Sequence, residues 1–332
     1  MKAIAYESYG APEDVLSLVE APEPTLGRDR VLVRVRASSV NPIDWHLMRA
    51  DPRIIRLQMG LRRPKVGRLG YDLAGTVEAV GEGVTAFELG DEVFGSPDAR
   101  DSGGLAERCA IPEERLELKP ADLSMEEAAT VPLAGLTALQ ALRDAGRLES
   151  GQSVLIIGAG GGVGTLAVQI SKALGAEVTG VCSTSKVELV RSLGADEVVD
   201  YTREDLTEGD RRWDLIVQLA GTARPGVLRR ALTRDGTLVV SSGESAGAGN
   251  GPIGRVMKAR LLSAFVGQRL VTFTAKPNKP DLSFLRELIE DAKLAPVIDR
   301  IYPLNQVADA ISYLEEGHAR GKIAIAVGTG PR

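Results

Sequence analysis

An α/β protein carrying a second, β-rich domain is what this sequence predicts, and three observations carry the prediction. The first ~120 residues hold short runs that alternate apolar and polar side chains, separated by proline and glycine. Beyond about residue 150, short apolar runs alternate with helical stretches of ten or so residues, the pattern of βαβ units and a parallel sheet. A glycine cluster, GAGGGVG at 158–164, lies between the first of those runs and its helix.

In chain order, VLVRVRASSV at 31–40 and GTVEAVG at 75–81 have the period of two that predicts half-buried strands. Ser124 with Glu127 three residues on predicts a capping box. The helical stretch it opens is interrupted by Pro132 and resumes as LAGLTALQALRDAG to Gly146. The domain boundary is therefore placed at 122/123. SVLII at 153–157, EVTGVC at 177–182, EVVDY at 197–201, WDLIVQLA at 213–220 and GTLVVSS at 236–242 read as strands, with TLAVQISKALG a helix after the first. Ser185 and Glu188 predict another capping box, opening a helix that ends near Gly194. Amphipathic helices at 282–293 and 305–317 and a closing strand KIAIAV follow, with no internal repeat.

The chain has 332 residues, is 44% hydrophobic and carries a formal charge of −5, with Lys and Arg dispersed, so nothing favours nucleic acid or an anionic membrane. No apolar run is free enough of glycine and polar residues to serve as a membrane span. Two cysteines, Cys109 and Cys182, lie far apart in apolar stretches, and the histidines are only His46 and His318. Neither a disulfide framework nor a His/Cys zinc site can be built from these, so the expectation is a reduced, metal-free protein of the cytoplasm with both thiols buried.

GAGGGVG fits a dinucleotide fingerprint as Ala159-x-Gly161-x-x-Gly164 in the right context, strand before and helix after. Glycine is needed because a side chain would hold the backbone away from a pyrophosphate, whose charge rests on the free amides of the helix N-terminus. About twenty residues on, where an NAD site has Asp or Glu, stands Cys182-Ser183-Thr184-Ser185-Lys186. Hydroxyls and a lysine suit a 2′-phosphate, which favours NADP(H) over NAD(H). Ser185 can also simply cap the helix while Lys186 is solvated, and the two readings are compatible.

Several ordered motifs extend this over nearly the whole chain: VRASSVNPIDWHL at 35–47, GYDLAGTVEAVGEGV at 70–84, GDEVFG at 90–95, VLIIGAGGGVGTLAVQISKALGAEV at 154–178, LGADEVVDY at 193–201 and GHARGKIAI at 317–325. With them the sequence resembles the medium-chain dehydrogenase/reductase superfamily, in its zinc-free quinone oxidoreductase branch. That resemblance implies a GroES-like catalytic domain of residues 1–122 and 272–332, a Rossmann domain of 123–271, and a homodimer through strands near 261–271. It implies Asn41 beside the nicotinamide or its ribose and Thr137 facing the nicotinamide amide. Gly161, Gly162 and Val163 would meet the pyrophosphate, with Gly160 also binding the cofactor, and Ser183, Lys186 and Tyr201 would surround the 2′-phosphate. Ala220, Ser242, Gly243, Phe265 and Val266 would complete the pocket, while Arg320 and Lys322 either contact the cofactor or form a solvated chain end.

Zinc alcohol dehydrogenases keep a cysteine ligand where this chain has Asn41, and Gly-His-Glu where it has Gly70-Tyr71-Asp72. Without a Lewis acid an alkoxide loses its main stabilisation, so the substrate expected is a quinone or enone, whose negative charge delocalises. An enoyl-thioester or haloacrylate-type reductase is an alternative, since the substrate wall lies in loops such as 47–69, whose seven Lys and Arg either are solvated or attract an anionic substrate. A non-catalytic NADPH-binding sensor is another. The proton comes from water or from a positioned acid, for which the candidates are His46, which stands where relatives often have tyrosine or is simply a partly exposed residue after Trp45, and Asp44, which would orient it or cap a turn. Tyr71 would line the cleft near the nicotinamide and Asp72 would hydrogen-bond backbone beneath it.

Overall fold

A computed structural model describes residues 1–65, 67–97, 103–204, 210–221, 223–241 and 267–328. Strands β1 (Lys2–Ala5) and β2 (Ser17–Glu20) pair antiparallel. They are followed by β3 (Arg30–Val40), β4 (Leu73–Val80), β5 (Glu92–Gly95), β6 (Arg108–Pro112) and β7 (Leu116–Leu118). The middle of the chain supplies β8 (Ser153–Ile157), β9 (Glu177–Cys182), β10 (Glu197–Asp200), β11 (Trp213–Gln218), β12 (Leu232–Ser241) and β13 (Arg269–Phe273), and the end supplies β14 (Ile298–Pro303) and β15 (Lys322–Ala326). The chain divides into two compact units, residues 1–136, 277–291 and 296–332 in the first and 137–276 with 292–295 in the second. The border falls inside the helix Pro132–Leu139 rather than at 122/123, because the capped helix Met125–Ala128 packs on β3, β4 and β15. The return falls at 276/277 rather than 271/272, because β13 completes the second unit's sheet.

In the first unit, strands run β14-β15-β3-β4-β5-β7, with β6 also on β3. The alternation in β3 buries Val31, Val33, Val35 and Ala37 into a core with Leu73, Val77, Val93, Ile111 and Ile323. It breaks at Ser38 and Ser39, which are both fully buried, so two hydroxyls face the interior at the end of this strand. β15 pairs antiparallel with β3 in a register that sets Ile323 against Val40, which brings Lys322 to Asn41 although 281 positions separate them.

In the second unit the order is β10-β9-β8-β11-β12-β13, every pair parallel. β8 is buried from Val154 to Ile157, as a central strand of a parallel sheet must be. Strand order reverses between β8 and β11, the switch point at which open α/β sheets receive ligands. Of the stretch 261–271 read as a pairing strand, 261–266 lies outside the described residues, and β13 forms an edge of the sheet.

Candidate cofactor-binding and active site

In the second unit the glycine turn leaves β8 and enters the helix Gly162–Ala173, with Gly161 at its N-cap. Two glycines are demanded by packing. A Cβ on Gly164 would lie 2.0 Å from the Gly158 carbonyl oxygen, and one on Gly158, at φ +92°, would meet the Ala220 Cβ at 2.8 Å. Gly161 differs, since its Cβ would meet only the Gly158 oxygen, at an ordinary 3.5 Å. Among the described residues nothing forbids alanine there, and the open face borders the first-turn amides of the helix, which have no carbonyl partner of their own. This is the cradle a pyrophosphate would fill, so the residues fit a dinucleotide. Gly160, Gly162 and Val163 belong to the same turn, and Ala220 closes it from the end of β11.

Lys186 reaches that turn from the end of β9. A Cβ on Gly160 would meet the Lys186 Cδ at 2.7 Å, so the lysine stem lies along the turn. Ser183 Oγ stands 3.4 Å from Ser185 Oγ. The capping box expected of Ser185 and Glu188 does not form. The chain makes a 3-10 turn over Thr184–Lys186 before the helix Val187–Ser192, and Ser185 is inside that turn instead of at a cap. Thr184 Oγ1 donates to Asp200 at 2.6 Å and lies 2.9 Å from Thr202 Oγ1. The Thr184 bond, with those of Thr202, lowers the Asp200 carboxyl below its ordinary value. Sequence reasoning missed this acid, because it ends the third strand and not the second. Its signal was DYT at 200–202, 16 positions along the chain from its partner Thr184. Tyr201, 60% exposed, is beside it.

In the first unit, Asp72 is the centre of a buried polar cluster. Its Oδ2 accepts from Ser39 Oγ at 2.5 Å, Asn41 Nδ2 at 2.8 Å and Lys322 Nζ at 3.4 Å, and its Oδ1 accepts from the Leu133 N–H at 2.7 Å. The backbone bond expected of Asp72 is therefore present, but the charge partner came unannounced. Lys322 is 5% exposed and also donates to Val40 O and Asn41 Oδ1. With three protons and three acceptors, its ammonium is satisfied inside the unit and is not a solvated end. Burial lowers the Lys322 pKa from its ordinary value, against the raising effect of Asp72. Arg320, two residues earlier, is exposed.

Asp44 does not orient His46. Its two oxygens accept from the Asn41 N–H at 2.8 Å and the Gly70 N–H at 2.9 Å, tying the start of the helix Pro42–Arg49 to the GYDLAG turn. Burial raises its pKa from 3.8 to about 7, opposed by those two bonds. His46 is 6% exposed rather than partly exposed, and it stacks on Trp45 at 3.7 Å. Its Nδ1 lies 2.7 Å from Asp51 O; a carbonyl only accepts, so Nδ1 carries the proton. Tyr71 is half-buried, and its carbonyl accepts from Ser96 Oγ at 2.7 Å. Thr137 is half-buried at the start of the second unit. Ser242, Gly243, Phe265 and Val266 lie outside the described residues. The stretch 47–69 is less of a loop than expected, holding the end of Pro42–Arg49 and two short helical turns, Arg53–Ile55 and Arg56–Met59.

Among the described residues no group of three or more His, Cys, Asp or Glu is arranged to hold a metal ion, and no helix is long and apolar enough to cross a membrane. Cys109 and Cys182 are buried and form no disulfide.

Two family models match the chain: the alcohol dehydrogenase GroES-like domain over residues 27–121 and the zinc-binding dehydrogenase domain over 193–325. A chloroplast envelope quinone oxidoreductase homolog of Arabidopsis thaliana is 33% identical, covering 98% of both chains. An NADPH-dependent alkenal/one oxidoreductase of the same plant is also 33% identical, over 98% of this chain and 79% of its own. Among solved structures, the quinone oxidoreductase from Coxiella burnetii superimposes with a TM-score of 0.86 at 31% identity, covering 99% of each chain.

Proposed function

The chain belongs to the medium-chain dehydrogenase/reductase superfamily, in its zinc-free quinone oxidoreductase branch, and on that premise we propose that it is an NADPH-dependent oxidoreductase acting on a quinone or another electron-poor α,β-unsaturated carbonyl. The observation that carries the cofactor half is the turn at Gly161, where the described residues leave space for a side chain and the sequence withholds one. When bound, NADPH supplies the hydride. The amides of Gly162 and Val163 would hold its pyrophosphate, Gly161, whose own N–H is bonded to the Gly158 carbonyl, would leave room for its approach, and Ser183 with Lys186, in place of an acid at the end of β9, would hold its 2′-phosphate. The names of the Arabidopsis relatives, one a quinone oxidoreductase homolog and one an NADPH-dependent alkenal/one oxidoreductase, support this class of acceptor.

An acceptor of this class spreads the charge it gains over a conjugated system, so the chain need not hold a Lewis acid on the oxygen. Of the proton candidates, His46 keeps Nδ1 committed to Asp51 O and can give up a proton from Nε2 only as imidazolium. Asp44 is committed to two backbone N–H groups and serves as a tie. Two buried thiols without a disulfide suit a reducing compartment such as cytoplasm.

The test mixes purified protein with NADPH or NADH and a panel of quinones, enones and enoyl thioesters, following absorbance of the reduced nicotinamide. Turnover of quinones or enones with NADPH is expected. Tight NADPH binding with no turnover of any acceptor would instead make the chain a non-catalytic binder.

A further inference from the structure

Asn41 is held at three points. Its backbone N–H donates to Asp44 at 2.8 Å, its Nδ2 donates to Asp72 at 2.8 Å, and its Oδ1 accepts from Lys322 Nζ at 2.6 Å. The opposite charges on either side settle which way the amide faces. A flip would turn N–H groups toward an ammonium and the carbonyl toward a carboxylate, two repulsive contacts where burial screens charge poorly. The charges are themselves fixed, Asp72 by Ser39 Oγ and the Leu133 N–H, Lys322 by the Val40 carbonyl.

Stability is a poor reason for this arrangement. A buried ion pair contributes little net stability against apolar residues of similar volume, because desolvation offsets the attraction. Asp72 and Lys322 are 0% and 5% exposed and lie 3.4 Å apart, a long contact for a pair kept for its own sake. Each is closer to Asn41, Asp72 at 2.8 Å and Lys322 at 2.6 Å, than it is to the other. Lys322 has no proton left to offer, whereas the Asn41 amide has a second N–H on Nδ2 beyond the one given to Asp72.

We propose that Asp72 and Lys322 are positioning residues that lock the Asn41 amide in one sense, so that its second Nδ2 proton is a fixed donor to an oxygen of the nicotinamide nucleoside. The proposal rests on the reading that the chain binds NADPH with Asn41 beside the nicotinamide or its ribose. It gives Lys322 a role in recognising the cofactor without touching it.

A single substitution in the pair would strand a buried charge, so the test removes both charges together. Wild type, Asn41→Ala, the double variant Asp72→Asn/Lys322→Met and the triple variant with Asn41→Ala are each titrated calorimetrically with NADPH and with 2′,5′-ADP, and each is melted. 2′,5′-ADP carries the adenosine 2′-phosphate and lacks the nicotinamide nucleoside. Loss of one hydrogen bond predicts about tenfold weaker NADPH binding by Asn41→Ala and by the double variant. 2′,5′-ADP affinity should be unchanged, and the triple variant should bind NADPH no worse than Asn41→Ala, since the pair acts through Asn41. A double variant that binds NADPH like wild type, one that loses 2′,5′-ADP in parallel, or a triple variant whose losses multiply would overturn the proposal. Wild type that binds neither ligand would overturn the cofactor reading beneath it, a result distinct from these.

Discussion

Gly161→Ala and Gly164→Ala should behave as opposites, although the two glycines lie within one turn. At Gly164 the new Cβ falls 2.0 Å from the Gly158 oxygen and 2.7 and 2.8 Å from the Ala159 Cα and carbonyl carbon, all of it backbone that cannot rotate away. Overpacking of this kind costs about 1–3 kcal/mol. At about 2–4 °C per kcal/mol for a domain of about 150–250 residues, the melting temperature should fall by roughly 2–12 °C. At Gly161 the backbone has φ −93° and ψ 179°, which alanine adopts freely, and the new Cβ has one ordinary contact at 3.5 Å. The gain of about 0.4–1 kcal/mol from a stiffer unfolded chain is offset by alanine being a poorer N-cap than glycine. Stability should thus stay within about 1 kcal/mol of wild type. The same methyl stands where the pyrophosphate must approach, so NADPH affinity should fall at least about tenfold, 1.4 kcal/mol. Thermal melting and NADPH titration of both variants decide it. A Gly161→Ala protein that binds NADPH as tightly as wild type would refute the cradle, and an unmoved melting temperature for Gly164→Ala would refute the packing argument.

Ser183→Asp places a carboxylate where the 2′-phosphate is expected and should weaken NADPH about tenfold or more while leaving NADH nearly unaffected, read from KM for each. Equal losses for both would contradict the assignment of β9's end. Asp44 binds its proton more tightly in the folded state, about 7 against 3.8, so its contribution to stability is complete below pH ~4 and declines as pH rises through about 7. Asp44→Asn should melt lower throughout but lose less stability between pH 5 and 8 than wild type does; parallel melting curves against pH would count against the buried carboxyl. Burial pushes the Cys182 thiol up to about 11, so native protein at pH 8 should resist alkylation at this residue until denatured, as followed by mass spectrometry.

What the sequence determined by itself was local. The period of two in 31–37, the apolar run of β8, the glycines before a helix and the Ser124 capping box are each set by residues within a few positions of one another, and each forms as read. Local signals also have local rivals. Ser185 and Glu188 have the spacing of a capping box, yet the chain makes a 3-10 turn there. The Thr184 hydroxyl beside them is already held by Asp200, a residue of another strand. The ion partners of the candidate site were beyond such reading, since Lys322 lies 281 positions from Asn41 and 250 from Asp72. Only the pairing of β15 with β3 brings them together, and only burial turns a lysine near the chain's end into the counter-charge of an internal carboxylate. Backbone conformation follows from neighbouring residues, whereas the partner of a charge follows from which strands pair and in what register, and that is decided by the tertiary fold.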